Sequence, residues 1–289
     1  MKVFQRNLSI AVWVGCLAYL SLLGLGCSGG SGGGQDTTGT ASLTTLLTVD
    51  SASEALSEPE LLGFQGPVGL GGIESLILTV TEISLDRGDE DDDYEPEIVV
   101  FSGEMEVDIL DLMDVSAVLS CVDVPAGVYT KIRLSIANPR LFLSSAPETA
   151  IIDIHLTADG RLFISEGLEL PEGESCLLIL HFQSIHLVEQ GNGGYVLTPQ
   201  VRAEIEIESA EAKACGTIVA IDKDTDTLTL ALCDGSEIEV FYADALIFLP
   251  WDAYDPSGTE DDLEVGVDVM MTGTLWGDGS LTAHSIRII

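Results

Sequence analysis

The stretch Val128-Tyr129-Thr130-Lys131-Ile132-Arg133-Leu134-Ser135-Ile136 decides the fold class of this chain. Every second residue from Val128 to Ile136 is apolar or threonine, and the residues between them are polar or aromatic. Successive side chains of a β-strand point to opposite faces of the sheet, so this alternation predicts a strand with one buried face.

The same alternation recurs on both sides of that strand. Leu76, Leu78 and Val80 share one face, and the phase then shifts to Ile83 and Leu85, as a β-bulge requires. Many short strands separated by Gly and Pro turns are typical of a sandwich or a barrel, so we predict an all-β fold. Further strands are predicted at 41–49, 97–101, 105–112, 151–157, 161–165, 176–188 and 195–207.

The run Ser-Ala-Glu-Ala-Lys-Ala at 209–214 interrupts the strand pattern. We therefore predict a linker there, between a β-sandwich domain at 41–208 and a small β-barrel domain at 215–289. A chain of 289 residues has room for two domains.

The N-terminus has the features of an export signal. Lys2 and Arg6 precede an apolar run at 8–25, so residues 1–26 are predicted to be a signal peptide, and a transmembrane helix is the alternative. The stretch Leu23-Gly24-Leu25-Gly26-Cys27 resembles a bacterial lipobox, although Gly24 stands where that pattern prefers Leu. The resemblance implies lipidation of Cys27. Cleavage by ordinary signal peptidase is the alternative, because Gly24 and Gly26 suit it too.

Residues 27–40 are predicted to be the lipidated cysteine and a flexible tether, because the part after Cys27 is rich in Gly, Ser and Thr. Several acyl chains on one residue give durable membrane anchoring. By analogy with Gram-negative lipoproteins, Ser28 fits sorting to the outer membrane.

The cysteines predict two disulfides. Loss of Cys16 with the leader and lipidation of Cys27 would leave an even number in an oxidising compartment. A predicted hairpin of 215–222 and 226–233 places Ile218 opposite Leu230, and the same register places Cys215 opposite Cys233, which predicts a disulfide between those two. Cys121 and Cys176 then pair by exclusion.

The net charge of −37 excludes nucleic acid as a partner, because it repels a phosphate backbone. The acids concentrate in the segment 86–96, which contains Asp89, Asp91, Asp92 and Asp93. Charge runs of this kind are usually solvated loops, and we adopt that interpretation. A Ca²⁺ site made by these four aspartates is the alternative, since Ca²⁺ prefers several carboxylate oxygens.

Catalytic motifs are absent from the sequence: it has no nucleophile elbow, phosphate loop, zinc-protease helix or dinucleotide fingerprint. His181 and His186 are five residues apart in one predicted strand, so they should lie on opposite faces unless a bulge intervenes. The insert Phe248–Asp262 carries the aromatic residues Trp251 and Tyr254, which would suit a sugar or polymer ring. Packing of these aromatics on the barrel is the alternative.

The motif Val124-Pro125-Ala126-Gly127-Val128-Tyr129-Thr130-Lys131-Ile132-Arg133-Leu134 resembles the DUF4382 family, a family of unknown function found in many predicted bacterial lipoproteins. Residues 77–83, 107–112 and 195–202 extend the resemblance, which spans about 41–208 and implies a prealbumin-like β-sandwich. Residues 215–289 resemble the DUF5666 family through 216–222, 263–269 and 273–283. That resemblance implies a small oligonucleotide-binding-like β-barrel. Neither family implies a known activity.

Two functions are open. The first is a non-enzymatic lipoprotein of the cell envelope, most simply of the outer membrane, facing the periplasm or the cell surface. It would be a binding or structural module whose partner is a polysaccharide or an envelope protein. The alternative is a secreted carbohydrate-active hydrolase that uses a pair of carboxylates, which plentiful Asp and Glu would permit.

Overall fold

The computed structural model describes residues 39–49, 72–87, 97–113, 115–191, 194–206, 208–250 and 256–289. These residues are almost entirely β-structure, which confirms the predicted fold class. Short 3-10 turns at Ile109–Leu112, Thr157–Gly160 and Glu260–Asp262 are the helical elements among them. The strands are β1 (Thr40–Val49), β2 (Ile73–Asp86), β3 (Ile98–Asp108), β4 (Ser116–Pro125), β5 (Gly127–Tyr129), β6 (Lys131–Leu143), β7 (Ala146–Ile151), β8 (Ile154–Leu156), β9 (Arg161–Ile164), β10 (Leu168–Leu170), β11 (Ser175–Glu189), β12 (Tyr195–Glu206), β13 (Ser209–Asp222), β14 (Thr227–Ala231), β15 (Glu237–Phe241), β16 (Leu246–Phe248), β17 (Asp268–Trp276) and β18 (Leu281–Ile288).

The first part of the chain is a sandwich of two sheets. One sheet has the order β3-β2-β6-β7, with β9 paired to β6. The other contains β4, β1, β11, β12 and β8 in that order. Apolar side chains from the facing sides of both sheets form one core, with Leu43, Leu78, Leu134 and Phe182 at its centre. This is the layered burial that alternating strands require.

The strand that decided the fold class is broken where the sequence predicts continuity. Ile132, Leu134 and Ile136 are buried in β6 as predicted. Thr130, however, separates β5 from β6, and the phase reverses there. Tyr129 is therefore fully buried and Val128 is 55% exposed, the opposite of the predicted faces.

Residues 97–112 differ from the prediction of two strands. They form the single strand β3 followed by the 3-10 turn Ile109–Leu112. Asp108 ends the strand and caps the turn, because its carboxylate accepts a hydrogen bond from the backbone N–H of Leu110 at 3.1 Å.

The second part of the chain is a closed barrel that continues the sandwich sheet. The strand order β14-β15-β18-β17-β13 is closed by pairing of β14 with β13. β13 also pairs in parallel with β4, through Ala212 beside Ser116 and Lys213 beside Ala117. One 11-stranded sheet thus runs from the barrel into the sandwich.

The predicted linker at 209–214 is wrong in local structure, because these residues form the first half of β13. Ser209 lies beside Trp276 of β17, and the ladder continues without a break to Thr217 beside Asp268. The alternating alanines of this run are strand residues that the hydrophobic pattern did not reveal. Ala212 and Ala214 are fully buried where the barrel meets the sandwich. Their small side chains permit this close approach.

The barrel core also uses the sandwich as a wall. Leu46 of β1, Val118 of β4, and Leu177 and Ile179 of β11 are buried in the barrel's apolar cluster rather than in the sandwich core. Their neighbours in the same strands, such as Leu43, belong to the sandwich core. The sheet β4-β1-β11 is therefore apolar on both faces, with one core on each side.

Candidate functional site

Two turns with the same sequence close the barrel at the end nearest the sandwich. They are Asp234-Gly235-Ser236, between β14 and β15, and Asp278-Gly279-Ser280, between β17 and β18. In each turn the aspartate carboxylate accepts hydrogen bonds from the serine N–H and hydroxyl. The two glycines have φ values of +85° and +84°, which L side chains rarely adopt.

Both turns pack against β4, and we call this the sealed end. The backbone N–H of Cys121 donates to Ser236 Oγ at 3.0 Å. A Cβ atom added to Gly279 would lie 3.1 Å from Thr44 Oγ1 and 3.2 Å from Cys121 Sγ. The turn that contains Gly279 thus contacts both β1 and β4 of the sandwich.

The opposite end of the barrel carries a groove, which we call the barrel groove. It has a volume of about 450 Å³. Two segments form its walls, the stretch that follows β15 and the stretch that returns toward β17. The lining residues are Asp226, Tyr242, Ala243, Ala245, Leu246, Ile247, Phe248, Ser257, Gly258, Thr259 and Glu260.

The predicted aromatic insert forms part of this groove. Phe248 at its start forms an isolated bridge with Ser257 at its return, and Leu249 N–H donates to Pro256 O at 2.9 Å. Arg287 of β18 holds the start in place: its guanidinium lies 4.8 Å from the Phe248 ring centroid and donates to Leu249 O at 3.0 Å. The insert is thus attached to the barrel at both of its ends.

Carboxylates set the electrostatics of the barrel groove. Burial raises the pKa of the Tyr242 phenol, and the negative charges of Glu260, Asp226 and Asp222 raise it further. Tyr242 Oη lies 3.5 Å from Glu260 Oε1. Lys223 stands outside, with Nζ 3.2 Å from Asp261 and 4.0 Å from Glu260.

A smaller groove of about 250 Å³ lies on the outer face of the sandwich. Arg133 crosses it, pairing with Glu97 and lying 5.2 Å from the Phe163 ring centroid. Ser84 donates to the other oxygen of Glu97 at 3.0 Å. Both carboxylate oxygens of Glu97 are thus engaged within the protein.

Several predicted site residues lie outside the described residues. These are the lipidation site Cys27, the acidic residues Asp89, Asp91, Asp92 and Asp93, and the aromatic residues Trp251 and Tyr254. The predictions made for them stay predictions. In the part of the chain that the structure describes, no three His, Cys, Asp or Glu side chains are grouped so that they could hold a metal ion.

The two predicted disulfides are not formed in the structure. Cys121, Cys176 and Cys215 carry free thiols, so neither predicted pair is bonded. The predicted register is confirmed at Ile218, which lies opposite Leu230. However, β14 ends at Ala231, before Cys233. Cys233 is in the turn and packs against the sandwich core, while Cys215 lies beside Met270 of β17.

Burial makes two of the cysteine thiols weaker acids. Burial raises the pKa of Cys176 in β11, and nearby Glu174 raises it further. Burial also raises the pKa of Cys215, against the opposing effect of Lys213. A raised thiol pKa lowers the fraction of reactive thiolate at neutral pH.

The histidine prediction changes because a bulge does intervene. The register of β11 against β12 shifts between Phe182 and Ser184. Phe182 and Ile185, on either side of the shift, are both buried in the sandwich core. His181 and His186 therefore lie on the same face, and His181 Nε2 lies 3.5 Å from Glu204 Oε2.

Comparison with known proteins bears on the sandwich. Residues 65–199 match the family model described as Domain of unknown function (DUF4382). This match supports the resemblance seen in the first part of the chain, and the resemblance of 215–289 to DUF5666 stays a prediction. No curated protein and no solved structure matches the chain significantly.

Within the matched residues 65–199, the motif at 124–134 contacts Asp86 and Arg87 at the end of β2. Arg87 Nη2 donates to Ala126 O at 2.9 Å, and its guanidinium lies 5.4 Å from the Tyr129 ring centroid. Thr130 N–H donates to Asp86 O at 2.9 Å. The motif therefore fixes the end of β2, a role that its sequence alone does not reveal.

None of the described helices is long and apolar enough to cross a membrane.

Three residues of the barrel groove were not singled out in the sequence. Asp226, Tyr242 and Glu260 lie apart along the chain, and barrel closure brings them to one groove. The insert after Phe248 was the one sequence signal that pointed to this end of the barrel.

Proposed function

We propose that this protein is a non-enzymatic lipoprotein of the cell envelope, in which the barrel groove is a ligand-binding surface. The observation that carries the proposal is the asymmetry of the barrel: one end packs on the sandwich, and the other presents the groove. The lipobox-like stretch at Cys27 and the tether after it support attachment to the outer membrane. Pockets of a few hundred Å³ with apolar walls and a few polar groups are typical of binding sites.

The composition of the groove favours binding over catalysis. Leu246, Ile247 and Phe248 supply an apolar wall, and Leu246 is 65% exposed. An exposed leucine beside a groove is a contact that a ligand can cover.

A secreted hydrolase is the second candidate, and one observation favours it. Asp226 and Glu260 both line the barrel groove, so a pair of carboxylates is available there. Glycoside hydrolysis needs such a pair, one as acid and one as nucleophile or base. Turnover of a bound glycan that is lost in both Asp226→Asn and Glu260→Gln would establish this candidate.

A binding screen tests the proposal directly. The whole protein is screened against arrays of glycans, peptides and envelope polymers, with Leu246→Ser as the groove variant. Val265→Ser is the matched control, because Val265 is 63% exposed on the barrel and does not line the groove. We expect a ligand whose affinity falls about tenfold in Leu246→Ser, equivalent to about 1.4 kcal/mol, and not in Val265→Ser. If every bound ligand treats the two variants alike, the groove is not the binding surface.

Attachment to the membrane has its own test. Cys27→Ser should move the protein from the membrane fraction to the soluble fraction, because the acylated residue is lost. Retention of the variant in the membrane would place the anchor elsewhere.

A further inference from the structure

The charged side chains that line the barrel groove are acidic. Asp226 and Glu260 are the charged residues among its described lining. Asp262, and not Glu260, caps the neighbouring turn by accepting from Thr259 N–H at 2.7 Å. The Glu260 carboxylate is thus not used for capping, and its nearest described cation, Lys223, is 4.0 Å away and closer to Asp261.

The negative potential of these groups converges inside the groove. The phenol of Tyr242 has a raised pKa, first because it is buried and then because Glu260, Asp226 and Asp222 are near it. A potential that disfavours a phenolate favours a cation at the same place. The net charge of −37 acts in the same direction over a longer range, because it attracts cationic molecules to the surface.

The apolar wall suits the stem of a long basic side chain. Leu246, Ile247 and Phe248 lie beside the two carboxylates. Lys and Arg place their methylene groups on apolar surface while the charged head stays with polar partners. Phe248 already shows this compatibility, since its ring holds the guanidinium of Arg287 at 4.8 Å.

We propose that the occupant of the barrel groove is a basic segment of a partner polypeptide, with a Lys or Arg side chain directed at Asp226 and Glu260. This inference rests on the proposed function and names its ligand class. A peptide is preferred to a free polyamine because a residue next to the basic side chain can cover Leu246, which is 65% exposed. Ammonium or guanidinium groups then make charge-assisted hydrogen bonds to the two carboxylates.

The test uses fluorescence anisotropy of the whole protein with a labelled hexapeptide of alternating leucine and lysine. A hexapeptide with glutamine in place of lysine is the neutral probe, and spermidine is the polyamine competitor. The ionic strength is held near 0.15 M, where the Debye length of about 8 Å screens the distant charges of the chain. Glu260→Gln removes one groove carboxylate, and Glu237→Gln is the matched control, since Glu237 is exposed on β15 and does not line the groove.

The expected result is that the lysine peptide binds and the glutamine peptide does not. Glu260→Gln and Asp226→Asn should each weaken binding about tenfold, while Glu237→Gln changes it less than about twofold. Equal weakening by Glu260→Gln and Glu237→Gln would overturn the proposal, because binding would then follow net charge alone. Displacement of the peptide by equimolar spermidine would also overturn it in favour of a free polyamine.

The outcome can be separated from that of the proposed function. If a neutral oligosaccharide binds the groove, is weakened by Leu246→Ser and is unaffected by Glu260→Gln, the cationic occupant is wrong and the groove remains the binding surface. If neither the lysine peptide nor any screened ligand is weakened by Leu246→Ser, both proposals fail. Binding of the lysine peptide that is weakened by Leu246→Ser and by Glu260→Gln supports both.

Discussion

The two ends of the barrel have opposite relations to their surroundings. At the sealed end, the turns at Gly235 and Gly279 present backbone and small side chains to β4, and their polar groups are used within the protein. At the other end, Glu260 and the 65% exposed Leu246 face a groove of about 450 Å³. One barrel thus uses one end for attachment and keeps the other for a ligand.

The two ends therefore differ in which substitutions they tolerate. The sealed end needs particular residues, because a φ of +84° disfavours a side chain at Gly279 and a Cβ atom there would lie only 3.1 Å from Thr44 Oγ1. At the groove end Asp226 also has a positive φ, of +52°, but Leu246 and Glu260 do not, so the side chains at these two positions can change without loss of the barrel. Substitutions should therefore affect stability at the sealed end and binding at the groove.

The largest effect is expected at Leu46, which belongs to a sandwich strand but is fully buried in the barrel core. Leu46→Ala should reduce the free energy of unfolding by about 2–5 kcal/mol through lost burial and a cavity. Urea unfolding followed by far-UV circular dichroism should show one transition at lower urea. Leu246→Ala in the barrel groove is the control and should change stability by less than about 0.5 kcal/mol. A two-step transition in Leu46→Ala would mean that the barrel unfolds separately.

The two glycine turns give the next comparison. Gly279→Ala places a methyl group 3.1 Å from Thr44 Oγ1 and also forces Ala to φ +84°, so it should cost about 2 kcal/mol. Gly235→Ala has the same backbone strain, at φ +85°, but has no atom within 4 Å, so it should cost about 1 kcal/mol. Thermal unfolding of both variants measures the difference. Equal losses would show that the contacts of Gly279 with Thr44 of β1 and Cys121 of β4 contribute nothing.

The serines of the same turns allow the hydrogen bond between Cys121 and Ser236 to be measured separately from the hydrogen bonds within each turn. Ser236→Ala removes the acceptor of the Cys121 N–H as well as a turn contact with Asp234. Ser280→Ala removes only the equivalent turn contact with Asp278. We expect Ser236→Ala to be less stable than Ser280→Ala by about 1 kcal/mol, measured by urea unfolding. The reverse order would contradict the assignment of the sealed end.

The smallest effect is expected at Tyr242 in the groove. Its pKa is raised above the ordinary value of 10.0, so above pH 10 the unfolded chain loses the phenolic proton before the folded protein does. Stability from this residue is present below pH 10 and is lost as the pH rises through the folded-state pKa. Tyr242→Phe should match the parent protein at pH 7 within about 0.5 kcal/mol and lose less stability at alkaline pH. Parallel pH profiles for the two proteins would contradict this.

Part of this fold is visible in local sequence. Alternation places Ile132, Leu134 and Ile136 in the core because side-chain direction in a strand depends only on its neighbours. It fails at Tyr129, because the break at Thr130 is imposed by pairing with distant residues. The strand at 209–214 was missed for a similar reason, since its small residues are explained only by contact with β4.

The candidate site was visible only as the insert after Phe248. Asp226, Tyr242 and Glu260 come together because the barrel closes. Their spacing along the chain does not predict that they share one groove. The predicted disulfide between Cys215 and Cys233 shows the same limit. Its hairpin register is right at Ile218, but β14 ends at Ala231. The turn that follows packs against the sandwich, and that contact is not visible in the local sequence.

The barrel and the sandwich share one sheet, and sandwich residues form part of the barrel core, so the two should unfold as one cooperative unit. Native-state hydrogen exchange, followed by mass spectrometry at increasing urea below the unfolding transition, tests this cooperativity. We expect the amides of β17 in the barrel and β11 in the sandwich to open with the same free energy and the same urea dependence. Gly279→Ala should lower both free energies equally. Exchange of β17 at lower free energy while β11 stays protected would show that the barrel opens independently of the sandwich.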